Sequence, residues 1–219
     1  MDTDPPIILD TGPSPSHSII GLHGLGADGG DFVPIAEEMN LPLAVRYIFP
    51  HAPMQPVAIN GGYVMRAWYD IVAADINARQ DEAGIRASQA LVEKLIVQEK
   101  QRGIAAKNIF LAGFSQGGAI VLQTGLRHAE ALGGLLALST YLPLAETAAA
   151  EASSAQQGLP IFMAHGCGDP IVPYALGELS ASRLRQLGYS LDWREYDMQH
   201  SVCMEEVRDI EGWLAQHLR

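Results

Sequence analysis

The stretch Gly113-Phe114-Ser115-Gln116-Gly117 sets a serine between two glycines, directly after the apolar run Ile109-Phe110-Leu111-Ala112 and directly before the apolar run Ala119 to Leu122. That order reads strand, sharp turn, helix. A serine on such a turn is driven into a strained backbone geometry that only small neighbours tolerate, and its hydroxyl stands clear of the strand ends above the next helix. A serine hydroxyl is a weak nucleophile near neutral pH. Acyl transfer through it therefore requires a histidine to take its proton and a carboxylate to orient that histidine. Asp169 and His200 supply both types further along, giving the chain order serine, aspartate, histidine.

The other histidines suit this chemistry less well. His128 and His217 fall near helix ends, and His17 and His51 flank strands with no carboxylate in a suitable following position. His23 and His165 each close a strand in a His-Gly pair, which fits a hydrogen-bonded turn better than proton transfer. Among the acids, Asp192, Glu195 and Asp197 stand too close to His200 in sequence to reach its far ring nitrogen easily. Asp70, after Trp68-Tyr69, is the next rival to Asp169.

A tetrahedral oxyanion needs donors, normally two backbone amides. Gln116, the residue after the serine, is one expected donor. The glycine-rich run His23-Gly24-Leu25-Gly26-Ala27-Asp28-Gly29-Gly30 is expected to turn a second amide inward, with Leu25 the best placed. A phosphate cradle is the other use of such a loop. Neither a P-loop lysine motif nor a dinucleotide fingerprint follows this strand, so the spelling argues against it.

These groups need a scaffold that brings distant residues to one edge. Apolar runs of strand length alternate with segments of helical period, as in a mostly parallel sheet. Strands are predicted at Ser18–Leu22, Ala44–Phe49, Ile109–Ala112, Leu135–Ser139, Ile161–Ala164 and Leu191–Tyr196. Helices are predicted at Asp31–Met39, capped by Asp31, at Glu82–Arg102 with Gly103 as its stop, and after the serine turn. Two more are predicted at Pro173–Leu187, opened by its proline, and at Glu205–Leu218. The Ala- and Ser-rich segment Ala145–Gln157 reads as a surface excursion with a short helix. A long connection from Pro50 to about Arg79 carries Pro50, Pro53, Pro56 and an Asn60-Gly61-Gly62 turn, far beyond an ordinary βα loop. Because parallel strands point the same way, loops after their C-terminal ends share one edge, and Ser115, Asp169 and His200 all stand on such loops.

With 219 residues, 48% of them hydrophobic and 18% charged, the chain fits one α/β domain spanning 1–219. The net charge of −11 argues against nucleic acid and anionic membrane surfaces as partners, and no run is long enough for stable membrane insertion. The first residues lack the basic start and apolar run of a secretory signal, so a cytoplasmic location is expected. Two cysteines, Cys167 and Cys203, fit neither a disulfide scaffold nor a zinc site, and both read as plain thiols.

Taken together, Leu22-His23-Gly24-Leu25-Gly26, Trp68-Tyr69-Asp70, Gly113-Phe114-Ser115-Gln116-Gly117-Gly118, the His165-Gly166 and Asp169-x-x-Val172-Pro173 stretch, and His200 before an acidic helix resemble the phospholipase/carboxylesterase family. The similarity runs in register from about Ile7 to Leu218. The resemblance implies an α/β-hydrolase fold, a doubly wound, mostly parallel sheet with helices on both faces. It implies Ser115 as nucleophile, His200 as general base, Asp169 as its orienting acid, and Leu25 and Gln116 as oxyanion donors. The activity it implies is carboxylesterase, with acyl-protein thioesterase or lysophospholipase as alternatives in the same chemistry and a non-catalytic binding module as the alternative of another class. No cofactor or metal is expected. The substrate is a small-molecule ester or acyl thioester, and a homodimer is left open. The long loop is expected to build an acyl groove from Met54, Val57 and Trp68, together with Leu25 and Ile171.

Overall fold

The computed structural model describes residues 4–72 and 80–218. Among these residues nine strands carry the frame: β1 (Ile7–Asp10), β2 (His17–Leu22), β3 (Val45–Phe49), β4 (Met54–Val57), β5 (Tyr63–Arg66), β6 (Ile109–Phe114), β7 (Gly134–Leu138), β8 (Ile161–Gly166) and β9 (Leu191–Tyr196). The α-helices are α1 (Val33–Glu38), α2 (Glu82–Gln101), α3 (Gln116–Gly125), α4 (Ala145–Glu151), α5 (Tyr174–Gln186) and α6 (Met204–His217). Seven strands form one sheet in the order β1-β3-β2-β6-β7-β8-β9. Only β1 runs antiparallel, against β3.

Burial explains the sequence of the strands. β2, β7 and β8 are buried at every position, so they read as continuous apolar runs rather than as alternation. One face is covered by α2, α3 and α5, whose Ile85, Val92, Ile96, Ile120, Leu122 and Leu184 join a common core. The other is covered by Phe32 just before α1, by Ala36 of α1, and by Ile210, Trp213 and Leu214 of α6. The sheet is thus doubly wound, with the C-terminal ends of its parallel strands gathered at one edge.

Four details differ from the sequence reading. β1 was not expected: it is a four-residue edge strand only half-buried on one side and exposed on the other, too short to give a clear period. The long connection holds a separate hairpin, β4 paired antiparallel with β5 and closed through Gly61 and Gly62 at φ +66° and +79°. Pro56 within β4 hides it, because a proline demotes a run to an edge or to no strand at all. Residues 73–79 of that connection lie outside the described residues. The first helix is split: a 3-10 turn at Gly29–Phe32 precedes α1, and the cap is Asp28, whose carboxylate accepts the Gly30 amide at 2.7 Å, not Asp31. Pro173 likewise caps α5 from outside rather than opening it from within.

Candidate active site

Ser115 sits between β6 and α3 at φ 53°, ψ −120°, a backbone conformation that costs on the order of 1–3 kcal/mol and persists only where its surroundings enforce it. They do so here from both sides. The Ser115 amide donates to Leu138 O on β7 at 2.8 Å, and its carbonyl accepts the Thr140 hydroxyl at 2.6 Å. The turn is tight enough that a Cβ on Gly113 would lie 2.5 Å from the Gly117 carbonyl, and one on Gly117 would collide with Leu22 O of β2. Any larger residue at these two positions would push α3 off the strand ends.

The loop after β8 brings Asp169, and the loop between β9 and α6 brings His200. Cys167 N donates to Tyr196 O at 2.9 Å and Gly168 N to Met198 O at 3.1 Å, tying the two loops together. The Asp169 side chain is wholly buried, and its Oδ1 accepts the amides of Ile171 at 2.8 Å and Val172 at 2.9 Å. Its Oδ2 lies 2.7 Å from His200 Nδ1, and His200 Nε2 lies 2.9 Å from Ser115 Oγ. A carboxylate only accepts, so Nδ1 carries the proton and Nε2 presents its lone pair to the serine hydroxyl. The Phe114 ring packs beside the imidazole at 4.7 Å between centroids.

On the far side of Ser115 runs the glycine loop after β2. A Cβ on Gly24 would be 3.6 Å from Ser115 Cβ, so Leu25 follows directly beside the serine. The loop is held by Gly26 N to Arg66 O at 2.9 Å and by His23, whose Nδ1 donates to Gly24 O at 2.7 Å while Nε2 accepts the Ala52 amide at 3.0 Å. That pair of bonds requires the neutral ring, and burial holds the His23 pKa below its ordinary value. The Gln116 amide is the first of α3 and has no acceptor within the helix. Its side chain reaches the other way, accepting the Trp68 amide at 2.8 Å and donating to Tyr69 O at 2.7 Å.

A cavity of about 480 Å³ opens beside Ser115, within the roughly 300–1,000 Å³ range of small-molecule sites. Leu25 and Ile171 line it, together with Phe32, Ile35, Phe114 and Val202, which the sequence reading did not name. Met54, Val57 and Trp68 do not line this cavity. Trp68 is only 2% exposed and its indole N–H donates to His23 O at 2.8 Å, so it braces the glycine loop from beneath. Val57 is fully buried at the turn end of the hairpin, and Met54 is 58% exposed at its open end. The walls of this cavity come from α1 and the loops around Ser115, not from the long loop. Among the rival groups, Asp70 accepts the Ala58 amide at 2.7 Å and serves the hairpin, while Glu195 accepts from Tyr174 and Trp193. His128 is buried against Glu93 rather than solvated. Both cysteines are free thiols. Among the described residues no group of three or more His, Cys, Asp or Glu side chains is arranged to hold a metal ion.

The profile of the phospholipase/carboxylesterase family matches residues 5–218. The chain belongs to that family. It is 38% identical over 209 residues to acyl-protein thioesterase 1 of Yarrowia lipolytica, covering 92% of each chain. It is 39% identical to acyl-protein thioesterase 1 of Neurospora crassa, covering 98% of this chain and 92% of that one. The crystal structure of Arabidopsis thaliana SOBER1 superposes with a TM-score of 0.88 at 30% identity, over 93% of this chain and 99% of the other. The chain is a serine hydrolase of the esterase and thioesterase type with an α/β-hydrolase fold. Among its described residues no helix is long and apolar enough to cross a membrane.

Proposed function

We propose that the protein hydrolyses acyl thioesters, and carboxylic esters by the same route, through an acyl-enzyme on Ser115. The observation that carries the reading is the unbroken chain Ser115 Oγ, His200 Nε2, His200 Nδ1, Asp169 Oδ2, at 2.9 and 2.7 Å. His200 takes the serine proton as Oγ attacks the acyl carbonyl, and the Leu25 and Gln116 amides receive the developing oxyanion. Collapse breaks the bond to the leaving thiolate or alkoxide, which leaves with the proton held by His200. Water then repeats the sequence on the acyl-enzyme. The weight falls on thioesters before simple esters because the curated relatives are acyl-protein thioesterases.

Kinetics on an acyl thioester and on a p-nitrophenyl ester test this. Ser115→Ala and His200→Ala should each lower kcat by about 10⁶-fold, and Asp169→Asn by about 10⁴-fold. Full activity in Asp169→Asn would remove it from the role of orienting acid. A kcat/KM for thioesters no better than for the matched oxygen ester would leave the triad intact and reject the thioester preference.

A further inference from the structure

We infer that His165 is a positioning residue for the acid of the triad, a second, uncharged histidine that braces the Asp169 loop so that its carboxylate stays in line with His200. The inference rests on the reading of Asp169 and His200 given above.

His165 lies on β8 with no exposed surface. Its Nε2 is 2.8 Å from Val172 O, and because a carbonyl only accepts, Nε2 carries the hydrogen. The same N–H lies 3.5 Å from Asp169 Oδ2, the oxygen that takes the His200 proton donor. Val172 closes the circuit by donating its amide to Asp169 Oδ1 at 2.9 Å. One residue of backbone, Val172, is therefore held at its carbonyl by His165 and holds the carboxylate with its amide. The aspartate cannot rotate away from His200 without breaking that circuit.

The other face of the ring fixes its charge. Among the described residues the buried Nδ1 has no hydrogen-bond partner, and α5 passes over it at Gly177, where any Cβ would collide with Nδ1. A second proton on the ring would be buried there with nothing on Gly177 to accept it. Burial accordingly holds the His165 pKa below its ordinary value, against the opposing pull of Asp169 and the Val172 carbonyl. An uncharged donor orients the carboxylate without neutralising it, so Asp169 keeps its full attraction for the imidazolium that His200 becomes. The ring is clamped in plane by Trp193, stacked at 6.3 Å, and by the edge-on Tyr174 at 6.1 Å. Those two are joined through Glu195, which accepts from both, at 2.6 Å from Tyr174 and 2.8 Å from Trp193.

Two uncharged amides separate the positioning role from mere filling of space. In His165→Gln the amide nitrogen reaches the place of Nε2 and can donate to Val172 O. In His165→Asn it reaches only the place of Nδ1, toward Gly177. The Gln variant is expected to keep kcat within about threefold of wild type, and the Asn variant to lose roughly 10- to 100-fold in kcat with KM within about twofold, as for groups that orient a reacting residue. Should the Asn variant fail to fold, His165→Phe keeps a ring between Tyr174 and Trp193 but donates nothing, and the same kcat loss is expected. A kcat for the Asn or Phe variant within threefold of the Gln variant would overturn the inference. If Ser115→Ala is inactive in the same assay, that result rejects the brace alone. An active Ser115→Ala would reject the triad reading on which the brace depends.

Discussion

Glu206 offers a stability prediction that can be worked from the structure. It stands in the first turn of α6, immediately after the loop that carries His200, with no exposed surface and, among the described residues, no well-aligned hydrogen bond to either carboxylate oxygen. Burial pushes its pKa up to about 8, Asp209 adds to the effect, and the Cys203 amide offsets part of it. In the unfolded chain a glutamate titrates near 4.5. Between those two values the folded protein holds a proton that the unfolded chain has released, so stability falls as pH rises through this window and levels off above it. At about 1.4 kcal/mol per unit the ceiling is about 5 kcal/mol, which relaxation and water entry reduce. Glu206→Gln keeps the shape and removes the titration. Urea unfolding followed by tryptophan fluorescence should therefore find the variant close to wild type at pH 5 and more stable by about 2 kcal/mol or more at pH 8. Other titrating groups cancel in the difference between the two proteins. A difference that does not change with pH would refute the reasoning.

Three further outcomes follow from the site. His23 and His165 both have depressed pKa values, so the unfolded chain protonates first as pH falls below 6.5 and stability is lost from there downward; His23→Gln should flatten that acid loss, and an unchanged acid-unfolding profile would contradict it. Phe32 and Ile35 separate the cavity beside Ser115 from a small apolar cavity of about 30 Å³ between α1, α6 and the sheet. Phe32→Ala should join the two and move the acyl-length optimum of a p-nitrophenyl ester series toward longer chains, at a stability cost of about 3–5 kcal/mol; an unmoved optimum would show that acyl chains do not run toward Phe32. Chelators should leave activity unchanged, and a loss in EDTA that a divalent metal restores would contradict the serine mechanism.

What the sequence made legible was what local chemistry and chain direction decide together. Ser115 could be read because glycines at 113 and 117 mark the close approach to β2 and α3, and Asp169 and His200 because parallel strands deliver their following loops to one edge. Trp68 shows where this runs out. An aromatic in a long loop reads as a groove wall, but its indole N–H needs an acceptor when buried, and only the folded chain places His23 O there. Phe32 and Ile35 carry no signal of their own in the sequence, and only the folded chain turns part of each toward the cavity beside Ser115. β1 and the β4–β5 hairpin were hidden because four-residue strands carry too little period to be seen, and Pro56 removes what little β4 has. His165 looked like a turn residue from its His-Gly setting, and its contact with Asp169 exists only because the loop folds back through Val172.

The most direct test of the account is active-site labelling with a fluorophosphonate followed by peptide mapping by mass spectrometry. The account predicts a single adduct on Ser115, formed in step with loss of thioesterase and esterase activity, and almost no labelling in His200→Ala, where nothing takes the serine proton. An adduct on another residue accompanying the loss of activity, or full activity in protein whose Ser115 is completely labelled, would contradict it.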